Sequence, residues 1–245
     1  VFDNLNRSSI AIQSIYEKKL ATGLTNDERR RVLDYCDAYR KFMASDEVLS
    51  FGHQVRYPGS NILYAIYGRL KRKWSVVFDE LVPGEKDYFL FLPNKRDNYR
   101  QLLLTPQFSD NAVLVEKISC SIPNNTLLVV KDHPHSSRGA LDYRFIKTVR
   151  ALPNCLYVDP RGHTTDELIA NARGVITVAS TAIIDALVHM KPVLSFGQSP
   201  YLVNVDPLPV FNASSLENLP ELFKQMSQTN DQVERIEVFL YPFLS

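Results

Sequence analysis

From Asp87 onward, short apolar runs alternate with segments of helical length, and few folds accept that alternation. The runs are Tyr88–Leu92, 126–130, Cys155–Val158, 175–178 and Val193–Phe196, all rich in β-branched or aromatic residues. Between them lie Asn111–Ser121, 141–152, 165–172 and 182–190. Strands separated by helices of about ten residues indicate βαβ units, because a parallel neighbour can start only after a crossover has carried the chain back. The runs are apolar throughout rather than at every second position, as strands covered on both faces must be. An α/β, Rossmann-like domain with five parallel strands is therefore expected over residues 86–245, closed by one or two helices within 214–241.

The first 85 residues have another texture, and a helical N-terminal segment, 1–85, is expected. Thr25 and Glu28 have the spacing of a capping box. After them Val32, Cys36, Tyr39 and Met43 recur on one helical face. Tyr57-Pro58-Gly59-Ser60 breaks the pattern. A second helix starts at Asn61 and runs into a basic stretch, Arg69, Lys71, Arg72 and Lys73, with Trp74 at its end. Such a stretch is either a solvated helix end or a weak peripheral contact with anionic membrane. Val82-Pro83-Gly84 is expected to link the two parts.

Composition removes several function classes. With 28 Lys+Arg against 27 Asp+Glu, the net charge of +1 gives no general attraction to nucleic acid. At 45% hydrophobic and 22% charged residues, the chain is neither disordered nor fibrous. No apolar run reaches the roughly 18 residues that a membrane-spanning helix needs. The opening VFDNLNRSSI lacks the basic start and apolar core of a signal peptide. The three cysteines, Cys36, Cys120 and Cys155, have no C-x-x-C spacing, which suits a reducing cytoplasm. A first residue of Val1 points to a processed chain or a fragment.

In open parallel sheets ligands bind beyond the carboxyl ends of the strands. Those ends carry the polar groups. They are Pro93-Asn94-Lys95-Arg96-Asp97, Lys131-Asp132-His133-Pro134-His135, Asp159-Pro160-Arg161-Gly162-His163, Ala179-Ser180-Thr181 and Gly197-Gln198-Ser199-Pro200-Tyr201. Pro134 disfavours helix at His133 and stops the strand there. That leaves the imidazole at the sheet edge, either as a donor to an anion beside Lys131 or as an ordinary loop histidine. Ser180 and Thr181 open a helix, as N-caps, as phosphate contacts, or both. Asp185, one turn on, serves either a ribose hydroxyl or the helix dipole. Gly197 permits close backbone approach.

No G-x-G-x-x-G follows a strand and no G-x-x-x-x-G-K-[ST] is present, so dinucleotide and P-loop readings lose their support. There is no G-x-S-x-G elbow. The absence of D-x-D, H-x-x-x-H and H-E-x-x-H pairs argues against a dedicated metal site.

The ordered set VVKDHP, CLYVDP and GVITVASTAIIDALVHMKPVLSFGQSPY resembles the capsule polysaccharide biosynthesis family, over about half the chain. That family includes bacterial Kdo transferases and is related to bacterial sialyltransferases. The resemblance implies a sheet like the C-terminal, nucleotide-binding half of a GT-B glycosyltransferase, whose two Rossmann-like domains face each other. A full acceptor domain would need more than the residues that precede Asp87. The resemblance further implies that His133 contacts the phosphate of CMP and acts in catalysis, that Ser180 and Thr181 hold the same phosphate, and that Asp185 holds the ribose. Lys131, Pro134, Gly197 and Gln198 complete the implied donor site. Asn94, Asp97, Asp159 and Tyr201 are partial matches. The family more often has Glu where this chain has Asp185. The implied reaction is transfer of an acidic sugar, Kdo before sialic acid, from its CMP donor to a glycan or glycolipid acceptor, without metal or further cofactor, in the cytoplasm or peripherally at the inner membrane. The competing readings are a CDP-glycerol phosphotransferase, whose usual D-Y-S-S segment is not matched by Val178-Ala179-Ser180-Thr181, and a non-catalytic nucleotide-binding module.

Overall fold

The computed structural model describes residues 19, 21–43, 78–93, 105–132, 143–160, 162–197, 210–228, 236–238, 240 and 241. In chain order these contain α1 (Asn26–Met43), β1 (Tyr88–Leu92), α2 (Asn111–Ser121), β2 (Leu127–Lys131), α3 (Tyr143–Ala151), β3 (Cys155–Val158), α4 (Thr165–Asn171), β4 (Gly174–Val178), α5 (Ala182–Val188), β5 (Val193–Phe196), β6 (Val210–Ala213) and α6 (Leu219–Gln228). Among the described residues no helix is long and apolar enough to cross a membrane.

All strand pairs are parallel, in the order β3-β2-β1-β4-β5-β6. This is the Rossmann-like α/β sheet that the alternation implied, with one correction: it has six strands, not five. The sixth has a weak signature in the sequence because Val210–Ala213 among the described residues pairs with β5 alone and is largely half-buried or exposed. An edge strand needs no continuous apolar run, so VFNA carries little signal. The other strands follow their apolar runs, with β2 extended through Lys131 and β4 begun at Gly174.

Successive side chains on a strand point to opposite faces, and both faces are covered. Phe89, Phe91, Leu128, Val130, Ile176 and Phe196 face a core shared with α2, α3 and α6. Tyr88, Leu90, Val129, Val175 and Val193 face the other core, shared with α1, α4, α5 and with Ile236, Val238 and Leu240. Helix α1 starts with the expected capping box. The Glu28 amide donates to Thr25 Oγ1 (3.3 Å) and the Thr25 amide to Glu28 Oε2 (2.9 Å). Val32 and Cys36 are its buried stripe. Arg29 pairs with the buried Glu237 at 2.6 Å, and Arg40 Nη2 donates to the Val188 carbonyl at the end of α5 (2.9 Å). Before β1, the Asp79 amide donates to the Tyr157 carbonyl and Asp79 Oδ2 accepts from the Tyr157 amide, which covers the free edge of β3.

Helix α5 ends in a Schellman motif, with the Met190 amide donating to the Leu187 carbonyl and the Lys191 amide to the Ala186 carbonyl. Met190 stands in the left-handed position (φ +56°) that usually takes glycine.

Gly197 holds the turn after β5 at φ +77°, and a Cβ there would lie 2.0 Å from Thr105 Cγ2. Thr105 is buried in the crossover from β1 to α2. Gly197→Ala is expected to lower the melting temperature through two separable costs: about 1–2 kcal/mol of left-handed backbone strain and the clash. Adding Thr105→Ala should recover the clash and leave the strain. Calorimetric melting of the two single variants and the double variant checks this, and simple additivity would show that the contact does not set the cost.

Candidate functional site at the carboxyl edge

After β3 the chain returns to the far side of β1, so β1 and β4 lie side by side while their crossovers leave in opposite directions. A crevice opens beyond the carboxyl ends at such a reversal. The described strand ends here are Leu92-Pro93 and Ala179-Ser180-Thr181, flanked by Lys131 on β2 and Gly197 after β5.

The last layer of side chains below this edge is polar on one face. Leu92 is in register with Thr177, and Thr177 with Ser195. Thr177, Ser195 and Lys131 share the parity of Val175, Val193 and Val129, so they turn toward the α1/α4/α5 layer. Thr177 and Ser195 are fully buried and Lys131 is 3% exposed. Each is satisfied locally: Thr177 Oγ1 donates to the Leu92 carbonyl (3.2 Å), Ser195 Oγ to the Gly197 carbonyl (3.2 Å) and Lys131 Nζ to Thr165 Oγ1 (2.6 Å). Lys131 is thus anchored to the start of α4. Burial pushes its pKa down to about 8, against which the Asp159 carboxylate pulls upward. Asp159 follows β3, and its carbonyl accepts from the Gly162 amide (3.1 Å).

Between β4 and α5 the backbone is strained. Ala179 has φ +42°, a left-handed conformation that costs a Cβ-bearing residue of order 1–2 kcal/mol. This kink turns the chain from strand to helix within three residues. Ser180 and Thr181 divide the capping role unexpectedly: Ser180 Oγ accepts from the Ala182 amide (3.3 Å), while Thr181, at the cap position in helical conformation, makes no side-chain cap bond. Thr181 is exposed. Among the described residues, the amides of Ser180 and Thr181 have no hydrogen-bond partner.

Asp185 lies one turn further along α5. Its Oδ1 accepts from the Tyr39 hydroxyl of α1 at 2.7 Å. Burial pushes the Asp185 pKa up, the Tyr39 hydrogen bond and His189 oppose this, and Asp166 adds to it. His189, four residues on, lies 2.5 Å from Asp166 Oδ1 through Nε2. Tyr39, Thr165, Asp166 and His189 were not singled out from the sequence. The i, i+4 spacing of Asp185 and His189 was visible there. In the sequence Tyr39 reads only as a position on an apolar helix face, and Asp166 only as part of a helix start.

Gly197 does allow close approach, but Thr105 of the same chain occupies the space. His133, Pro134, Asn94, Asp97, Gln198, Tyr201 and the basic stretch 69–73 lie outside the described residues. An open depression of about 390 Å³, lined by Asp87, Arg173, Lys191 and Met226 among others, lies at the amino edge of the sheet, away from these groups.

A family model described as capsule polysaccharide biosynthesis protein matches residues 10–204. Among curated proteins, Protein FixF of Sinorhizobium fredii (strain NBRC 101917 / NGR234) is 31% identical over 134 residues, which cover 54% of this chain and 30% of that protein. Two solved structures from Thermosulfurimonas dismutans are similar. KpsC, beta Kdo 2,7 transferase, has 14% identity and a TM-score of 0.47, covering 93% of this chain and 57% of its own. KpsC, beta Kdo 2,4 transferase, has 12% identity and a TM-score of 0.39, covering 76% and 56%. The chain therefore spans under a third of the curated relative and little more than half of either structure.

Two buried charges give opposite pH signatures. Lys131 releases its proton near pH 8 when folded and at about 10.5 when exposed. The folded state therefore carries the full cost of a buried cation below pH 8 and none above the unfolded pKa. Lys131→Met should raise stability at pH 7 by about 2–4 kcal/mol at most, with the gain gone above about pH 10.5. Asp185, raised by burial, costs stability once pH exceeds the ordinary carboxylate range. Asp185→Asn, whose amide oxygen still accepts from Tyr39, should raise the melting temperature at pH 7. That gain should disappear toward about pH 3. Melting curves across pH check both, and a pH-independent shift would exclude charge burial as the cause.

Proposed function

The chain belongs to the capsule polysaccharide biosynthesis family, and from that premise we propose that its carboxyl-edge crevice holds the CMP moiety of an activated acidic sugar for transfer to a glycan or glycolipid. Kdo is the first choice of sugar and sialic acid the second. The observation that carries the reading is the β1/β4 reversal, where the strained Ala179 presents Ser180 and Thr181, whose amides have no hydrogen-bond partner among the described residues, with the buried Lys131 ending β2 on the other side of β1. Hydroxyls and amides gathered at a strand-to-helix turn suit an anion, and a nucleoside monophosphate ester carries a single phosphodiester.

In this scheme the Ser180 and Thr181 hydroxyls and amides bind the phosphate, and Asp185 accepts from the ribose. Lys131 raises the local potential from below. His133, two residues beyond Lys131 in sequence, donates to the phosphate as the sugar–oxygen bond breaks and negative charge grows on the departing CMP. Donors held in place before the reaction stabilise that charge without reorganising. The chain's own residues supply these roles, and no metal step is invoked.

Titration calorimetry with CMP, CDP-glycerol, UDP, GDP and NAD tests the reading. CMP should bind most tightly. Thr181→Ala and His133→Ala should each weaken it roughly ten- to a hundredfold, as expected for a charge-assisted hydrogen bond of about 1.5–3 kcal/mol. His135→Ala serves as the control and should leave binding unchanged. NAD binding as tight as CMP overturns the nucleotide class, and preference for CDP-glycerol overturns the sugar donor.

A further inference from the structure

Asp185 stands in an unusual setting for a ligand-binding carboxylate. It is held by a residue that comes from the N-terminal segment, 146 positions away, at 2.7 Å. Among the described residues Oδ1 has that one partner and Oδ2 has none. Yet Asp185 is only half-buried, and among the described residues Oδ2 is not one of the buried side-chain oxygens left unbonded, so it is not sealed from solvent. One oxygen of the carboxylate is thus fixed and the other is open, on the helix whose first residues border the crevice.

We infer that Tyr39 is a positioning residue for the ribose of the bound nucleotide: its hydroxyl orients the Asp185 carboxylate so that Oδ2 accepts from a ribose hydroxyl. This rests on the CMP reading above. Four features support it. Helix α1 is fixed on both sides of Tyr39, by Arg29 with Glu237 and by Arg40 with the end of α5, so the phenol is held rather than free to swing. The tyrosine also replaces an apolar residue at the end of a stripe otherwise made of Val32 and Cys36, where packing alone would be served by phenylalanine. An aspartate, one methylene shorter than glutamate, reaches less far and depends more on being aimed. Of the interactions that oppose the upward push of burial on the Asp185 carboxyl, the Tyr39 hydrogen bond is the largest.

The test compares CMP with 2′-deoxy-CMP and 3′-deoxy-CMP on the wild-type chain, Tyr39→Phe, Asp185→Asn and the double variant. The readout is the ratio of dissociation constants. The wild type should prefer CMP over at least one deoxy analogue by tenfold or more. Tyr39→Phe should bring that ratio to within about threefold of unity while binding of the deoxy analogue changes little. Asp185→Asn should do the same, and the double variant should lose no more than either single one. A purely structural Tyr39 would weaken all three nucleotides equally and leave the ratio intact, which overturns the inference alone. Failure of the wild type to bind CMP overturns the donor reading, and the inference falls with it. Circular dichroism and melting of each variant separate loss of fold from loss of discrimination. If Tyr39→Phe is unfolded, the ratio in Asp185→Asn decides: a ratio kept at the wild-type value overturns the inference.

Discussion

A parallel sheet buried on both faces leaves polar chemistry almost nowhere to go except the strand ends. The backbone groups of the interior strands β1, β2, β4 and β5 are committed to the ladder, and nearly every side chain to one of two apolar cores. The rest of the protein follows from that constraint. Crossovers have to cover the faces, so helices lie on both sides. Because the chain reverses its winding between β1 and β4, two carboxyl ends are left side by side without a crossover between them. Polar residues that would be excluded from the layers can gather there and remain hydrogen-bonded.

Three unfavourable features meet at or near this edge. Lys131 is a cation at 3% exposure whose ammonium donates to the Thr165 hydroxyl. Ala179 holds a left-handed backbone without being glycine. Asp185 is a carboxylate that burial disfavours in its charged form. Packing explains none of them, since methionine, glycine and asparagine would each be easier to accommodate. Costs of this kind concentrate where a fold is shaped for something other than its own stability. The left-handed Met190 lies at the other end of α5 and has a local explanation in the Schellman motif. Left-handed backbone alone is therefore not the signal. The signal is strain together with buried charge at a strand end.

Helix α1 connects the N-terminal segment to this edge. Its buried stripe packs on the sheet-covering layer, and its polar contacts fall on α5 and on residues near the C-terminus. Through these contacts residues more than a hundred positions apart in this member of the capsule polysaccharide biosynthesis family meet at one edge of the sheet.

The sequence by itself determined the layered α/β class, five of the six strands within a residue of their bounds, the full extent of α2 and the capping box of α1. These are local or periodic properties: apolar runs bounded by breakers, and a Thr–Glu pair three residues apart. It also placed Lys131, Ser180, Thr181 and Asp159 at or just after strand ends and Asp185 one helical turn beyond, because in a parallel sheet the order of elements alone fixes which end they occupy. Only the tertiary structure decided the order in which the strands lie, and so which two ends flank the crevice. It alone joined Tyr39 to Asp185, His189 to Asp166, Lys131 to Thr165 and Thr105 to Gly197. Those partners are separated by 23 to 146 residues, and no periodicity records a pairing between elements that meet only after the sheet has formed. The edge strand β6 stayed hidden for the converse reason: half-exposed and short, it lacks the apolar run that burial imposes on the others.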